Sequence, residues 1–310
     1  MVLAGVDIGT LTCRLLIARV SEAGRLTELR SDRRIVRLGE GVDHSRRLRP
    51  DAMDRVISTL LEWRNVIESY QVNGQIAVAT SAVRDAVNRE EFVDRAKREA
   101  GFEVEIITGE EEARRTLLGI RSGLPEGVTD ILALDIGGGS TEFILDRPGA
   151  ESIVRSSDIG VVRLTERMLL HDPPTERELQ AARETIKKEI QQVGGLLGDV
   201  SGTTFVGTAG TITTLAAMAQ RLPRYEPARI HIFSLKLATV QKLEQELLSR
   251  TKAQRRGMPG LEVGREDVIV AGTLILRTVM ETLGYRDCLV SDLGLREGVL
   301  IDLARRITER

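Results

Sequence analysis

Residues 131–146, ILALDIGGGSTEFILD, leave a chain few ways to fold. An apolar run ends in Asp135, three glycines follow, and a second apolar run (Phe143, Ile144, Leu145) leaves. The pattern predicts strand, tight turn, strand. Glycines at 137, 138 and 139 take every Cβ out of the bend, so backbone N–H groups can converge on one oxyanion. Asp135, Ser140, Thr141 and Glu142 set carboxylates and hydroxyls beside that spot, the donor set a phosphate and its divalent metal require. A glycine-rich hairpin with incidental acids would read the same locally.

The chain repeats the design. VLAGVDIGTLTCRLLIARV at 2–20 again runs apolar strand, Asp7-Ile8-Gly9, the hydroxyl-bearing Thr10 and Thr12, apolar strand. RIVRL at 34–38 is echoed by GVVRL at 160–164, at nearly the same distance from its own Asp. The repeating unit is a whole domain, not a solenoid element. Two copies face to face would set their Asp-Gly turns on opposite walls of a cleft.

A chain of 310 residues, 42% hydrophobic, suffices for two cores. The net charge of −2 carries no overall basic character, so DNA is not an expected partner and any polyanion needs a local basic patch. Cys13 and Cys288 stand in no metal or redox spacing, which suits a reducing, cytoplasmic setting. No apolar run approaches a membrane span, and no signal peptide is expected at the start.

The first domain, expected over 1–124, reads as strands near 2–7, 12–20 and 25–38, with a turn EAGR at 22–25, then helix 50–70, strand 76–79, helix 89–100, strand 102–107 and helix 110–121. SGLPEG at 122–127 reads as a linker. The second domain, 125–310, repeats the strands and continues with helix 175–197, strand 203–207, a helix to about 220, a helical segment near 235–251, a buried helix 265–283, a short strand at 289–290 and a helix 295–306 suited to pack back on the first half. This order predicts an α/β protein of duplicated ribonuclease-H-like domains, as in actin, sugar kinases and chaperone ATPases.

DIGGGSTE at 135–142, TSAVR at 80–84, GEEEAR at 109–114, GTAGTI at 207–212, SDLGLREGVL at 291–300 and RLGEGVD at 37–43 together resemble the exopolyphosphatase and guanosine pentaphosphate phosphohydrolase family, over nearly the whole chain and in the family's order. The resemblance is to its short members. It implies removal of a terminal phosphate from inorganic polyphosphate, or from pppGpp, with a divalent cation, Mg²⁺ or Mn²⁺. It assigns the catalytic base to Glu112, directly before Ala-Arg. Without it, Glu110, Glu111 and Glu112 would pass as acids complementing a helix dipole. Arg84 follows a strand end on the ligand-binding side of such sheets and can clamp phosphate, or else form a surface ion pair with Asp85. The resemblance favours the clamp. Thr10, Gly138, Gly139, Ser140, Gly210 and Thr211 are expected to hold phosphate oxygens, and Asp135 and Glu142 the metal, with Asp7 contributing through water.

Two residues depart from relatives: Ala209, where many carry serine, and Leu11, where asparagine is frequent. Arg33, Arg34, Arg46, Arg47, Arg255 and Arg256 are candidates for a track along a polyanion. A kinase of the same architecture and a non-catalytic polyphosphate or (p)ppGpp sensor are the alternatives from other classes. The long helix 175–197 could pair in a homodimer.

Overall fold

The computed structural model describes residues 1–21 and 24–309; Glu22 and Ala23, half of the expected 22–25 turn, lie outside the described residues. The chain divides into two compact units, Met1–Gly123 with Leu293–Arg310, and Leu124–Asp292.

In the first unit, β1 (Val2–Ile8), β2 (Thr12–Val20), β3 (Leu26–Ile35), β4 (Gly74–Ala79) and β5 (Val104–Ile106) form a sheet of order β3-β2-β1-β4-β5. The first three strands meander antiparallel, and β4 and β5 join parallel to β1. Period-two alternation sorts β1 between two cores. Ala4, Val6 and Ile8 pack with Trp63, Leu60, Val56 and Phe92 from helices Pro50–Ser69 and Arg89–Arg95. Leu3 faces the other way, onto Leu300 and Ala304 of the last helix, Leu295–Thr308. That helix also packs on helix Gly109–Arg121, where glycines let the backbones touch: a Cβ at Gly298 would lie 1.6 Å from the Arg115 carbonyl oxygen.

The second unit repeats this topology. Strands β6 (Ile131–Ile136), β7 (Thr141–Asp146) and β8 (Ile153–Ser157) are antiparallel, β9 (Thr204–Thr208) and β11 (Asp287–Val290) join parallel, and β10 (Ser234–Lys236) adds an edge; the order is β10-β11-β9-β6-β7-β8. Leaving aside the edge strand β10, both sheets therefore wind third-second-first-fourth-last, the ribonuclease-H-like order that the repeat predicts. Every residue of β6 is buried, as its continuous apolar run requires.

Local differences from the sequence reading have identifiable causes. TSAVR follows the end of β4 as expected, and Ser81–Asp85 form a helical turn there, because Val83 and Arg84 N–H groups close on the Thr80 carbonyl. The helix expected over 89–100 ends in a π-turn, Ala96–Ala100, before Gly101 takes the left-handed conformation (φ 76°). GVVRL at 160–164 matches RIVRL at 34–38 in sequence but opens a helix, Val161–Met168, where the first copy ends a strand. The helix expected from Arg265 begins at Ile269 instead, because Arg265 and Glu266 are bound into the turn before it. Among the described residues, no helix is long and apolar enough to cross a membrane.

Candidate active site

In the first unit, Asp7 lies one residue before the end of β1, directly opposite Arg14 on β2, and Arg14 Nη1 donates to Asp7 Oδ2 at 3.0 Å. Oδ1 of Asp7 is buried with no hydrogen-bond partner among the described residues. Burial raises the Asp7 carboxyl above the usual range, against the pull of Arg14. The turn after it is closed by Gly9 N–H on the Thr12 carbonyl at 3.1 Å. Thr10 is buried, and its hydroxyl lies 2.8 Å from that of Ser81. Leu11, one of the two departures, packs its side chain into the interior while its carbonyl accepts from Val36 and Arg37 N–H.

Thr108 caps helix Gly109–Arg121 in a capping box with Glu111: Glu111 N–H donates to the Thr108 hydroxyl at 3.1 Å, and Thr108 N–H to the Glu111 carboxylate at 2.8 Å. That hydrogen bond holds the Glu111 carboxyl below its usual range. Of three consecutive glutamates, 110 and 111 are exposed and Glu112 alone is buried, at 7% exposure. Arg84 Nη1 donates to the Ile107 carbonyl at 2.8 Å and reaches Glu112 Oε2 at 3.3 Å. Arg84 therefore pairs with Glu112, not with its neighbour Asp85 as a surface reading would have it.

The second unit brings Asp135 and Glu142 together as a directly opposed pair on β6 and β7, both buried, which puts their Cβ atoms about 5 Å apart. Ser156 donates to Glu142 Oε1 at 2.8 Å. The glycine turn is closed as in the first copy, Gly137 N–H to the Ser140 carbonyl at 3.0 Å. Helix Val161–Met168 starts beneath it: Val161 N–H donates to the Gly137 carbonyl, Val162 and Arg163 N–H to that of Gly138, and Arg163 Nε to that of Gly139 at 2.9 Å. Two buried carboxylates beside a hydroxyl-bearing turn suit a hard cation such as Mg²⁺, which takes one or two carboxylates and fills its octahedron with water and phosphate oxygens. No group of three acids, histidines or cysteines among the described residues is placed to hold a metal ion together, so such a cation would depend on those other ligands.

The third loop joins β9 to helix Ala209–Ala219. Ala209, the other departure, sits at φ 69°, a left-handed conformation that costs an L-residue and persists where surroundings enforce it. Thr211 is buried at the helix start. A Cβ at Gly210 would lie 2.2 Å from the guanidinium of Arg265, which is itself buried and donates to Glu262 at 2.6 Å. Sequence reasoning missed Arg265 and Arg163. The only sequence signal was local: an arginine after Gly264 at an expected helix start, and the Arg of the repeated VRL. Arg255 is a correction: it was a candidate for the polyanion track, but it is 2% exposed, with its guanidinium bound to the Leu247 and Glu266 carbonyls and to Asp172. Arg34 is committed to Asp32 and Glu62.

Duplicated ribonuclease-H-like units, each ending its first strand in an Asp-Ile-Gly turn that a following segment holds open, define a protein of the actin-like class. Within that class, the chain belongs to the Ppx/GppA phosphatase family, whose pattern it matches over residues 16–307. It is 35% identical to exopolyphosphatase 2 of Mycobacterium tuberculosis, across 97% of this chain and 98% of that one. The crystal structure of the Aquifex aeolicus Ppx/GppA family member superposes with a TM-score of 0.82 at 36% identity, covering 99% of this chain and 98% of the other. An exopolyphosphatase from Cytophaga hutchinsonii superposes at 0.90 with 29% identity, over 99% and 98%.

Proposed function

We propose that the chain is an exopolyphosphatase that hydrolyses the terminal phosphoanhydride of inorganic polyphosphate and releases orthophosphate. The observation that carries the reading is Glu112, whose carboxylate is buried beside Arg84 while its two neighbours are left in water. Burying an ionised carboxylate is costly unless a partner and a task hold it there. Glu112 accepts the proton of the attacking water, a contribution of about two to four orders of magnitude. Arg84 holds the base in place and offers its remaining donors to phosphate oxygens. The N–H and hydroxyl groups of Thr10, Gly138, Gly139, Ser140, Gly210 and Thr211 hold the rest of the phosphate, and the P–O bond to the shortened polyphosphate breaks. A divalent cation bound at Asp135 and Glu142, Mg²⁺ or Mn²⁺, would neutralise charge on the phosphate, with Asp7 assisting through water. The names of the matched relatives favour polyphosphate over pppGpp.

The test is release of inorganic phosphate with Mg²⁺ on long-chain polyphosphate, pppGpp and ATP in parallel. Polyphosphate should be the preferred substrate, and Glu112→Gln should fold normally yet lose at least about a hundredfold in turnover. A wild-type rate in that variant would refute the base. Preference for pppGpp would reassign the substrate, and phosphate appearing on an acceptor in place of water would make the protein a kinase.

A further inference from the structure

We infer that Arg163 is a positioning residue: its side chain aims the Ser140 N–H at the phosphate and so completes the triple-glycine nest. The inference rests on the phosphate-binding reading above and names the part that one side chain plays in it.

In a trans peptide the C=O and N–H of one unit point in opposite directions. Fixing the carbonyl of Gly137 therefore sets the N–H of Gly138, fixing Gly138 sets Gly139, and fixing Gly139 sets Ser140. All three carbonyls are fixed from one side. Val161 N–H holds the first at 3.0 Å, Val162 N–H the second at 2.8 Å with Arg163 N–H at 3.4 Å, and Arg163 Nε the third at 2.9 Å. Their N–H groups are turned to the opposite side together, which is the geometry of an oxyanion nest. The approach is close: a Cβ at Gly160 would lie 2.3 Å from the Gly138 carbonyl oxygen, so the segment must enter on a glycine.

Two of these locks are backbone and survive substitution at 163. The third is a side chain. It is 7% exposed, and its guanidinium extends from the Gly139 carbonyl toward Asp158, 3.8 Å away. A cationic donor on the Gly139 carbonyl also polarises that peptide and strengthens the Ser140 N–H as a donor. In the first copy, Val36 and Arg37 N–H hold the Leu11 carbonyl and Gly39 N–H that of Thr10; Arg37, the residue that matches Arg163 in the repeat, donates there through its main chain.

The experiment follows the amide resonances of Gly138, Gly139 and Ser140 in ¹⁵N-labelled protein titrated with inorganic phosphate and Mg²⁺, for wild type and for Arg163→Met, which keeps the apolar stem and loses the donors. In wild type all three amides should shift. In Arg163→Met the Ser140 response should vanish while Gly138 and Gly139 keep theirs, and phosphate should bind about tenfold more weakly, as expected for one donor to a charged group. Arg163→Lys, which keeps the cation but cannot reproduce the Nε geometry, should fall between, and it serves if the methionine variant does not fold. A merely structural arginine would weaken all three responses together. An unchanged Ser140 shift in a folded variant overturns the inference alone. Silence of all three amides in wild type overturns the phosphate reading and this inference with it.

Discussion

Asp7 is held in the fold against its own preference. Burial raises its carboxyl more than Arg14 lowers it, so the native state binds a proton more readily than the unfolded chain does. Stability therefore falls as pH rises from the ordinary Asp range through the raised native value. Asp7→Asn is therefore expected to melt higher than wild type at pH 7, with the gap closing below about pH 4, where the unfolded carboxyl is protonated too. Phosphate release should drop in the same variant. Thermal melts at several pH values check the first part, and a lower midpoint for Asp7→Asn at pH 7 would show that the Arg14 pair outweighs burial. Strain that persists at a working position is the same signature Ala209 shows at φ 69°.

At the scale of elements, what the sequence revealed and what it hid separate by range. The Asp-Ile-Gly turns were legible because an acid at the end of an apolar run followed by glycine is a local pattern, and its repetition gave the two matching sheets. The capping boxes, Thr108 with Glu111 and Thr175 with Glu178, are local too, three residues apart, though the sequence reading did not draw them. Arg163 and Arg265 were not legible as site residues, because each earns its place by reaching a loop tens of residues away. The burial of Arg255 was hidden for the same reason. Gly119 and Gly298 look in sequence like weak points of two helices, yet they are where those helices meet: Cβ atoms there would lie 1.9 Å from the Gly294 carbonyl oxygen and 1.6 Å from that of Arg115. Gly298→Ala must push the last helix off helix Gly109–Arg121, whose first turn carries Glu112. Overpacking of this kind is expected to destabilise by about 1–3 kcal/mol. Turnover should fall beyond what the loss of folded protein explains, measured on the fraction still folded; an unchanged rate would mean that Glu112 is placed by its cap and Arg84 alone.

At the scale of the molecule, the first unit is closed by the far end of the chain. The β1–β5 sheet has one face on the large core that contains Trp63 and Phe92, and its other face has the last helix for cover. Leu300 sits there at zero exposure among Leu3, Leu16 and Ala18, against Gly5, whose missing Cβ leaves room for it; Leu295 and Val299 pack on Ile76, Val78 and Ile107. Burying three such side chains contributes roughly 1.5–3 kcal/mol each, a sum comparable with the about 5–15 kcal/mol by which a domain is stable at all. Sheet and helix are thus one cooperative structure although residues 107–294 of chain lie between them, so the unit that carries Asp7, Arg84 and Glu112 cannot complete its fold until helix Leu295–Thr308 is in place. Leu300→Ala should cost about 2–5 kcal/mol, and the loss should be local to that unit. Hydrogen exchange followed by mass spectrometry is expected to quicken in β1, β2 and β4 while β6, β7 and β9, whose core contains none of these contacts, keep wild-type protection. Equal quickening in both sets would mean that the two units unfold as one, and protection unchanged in β1 would mean that the last helix covers the sheet without stabilising it.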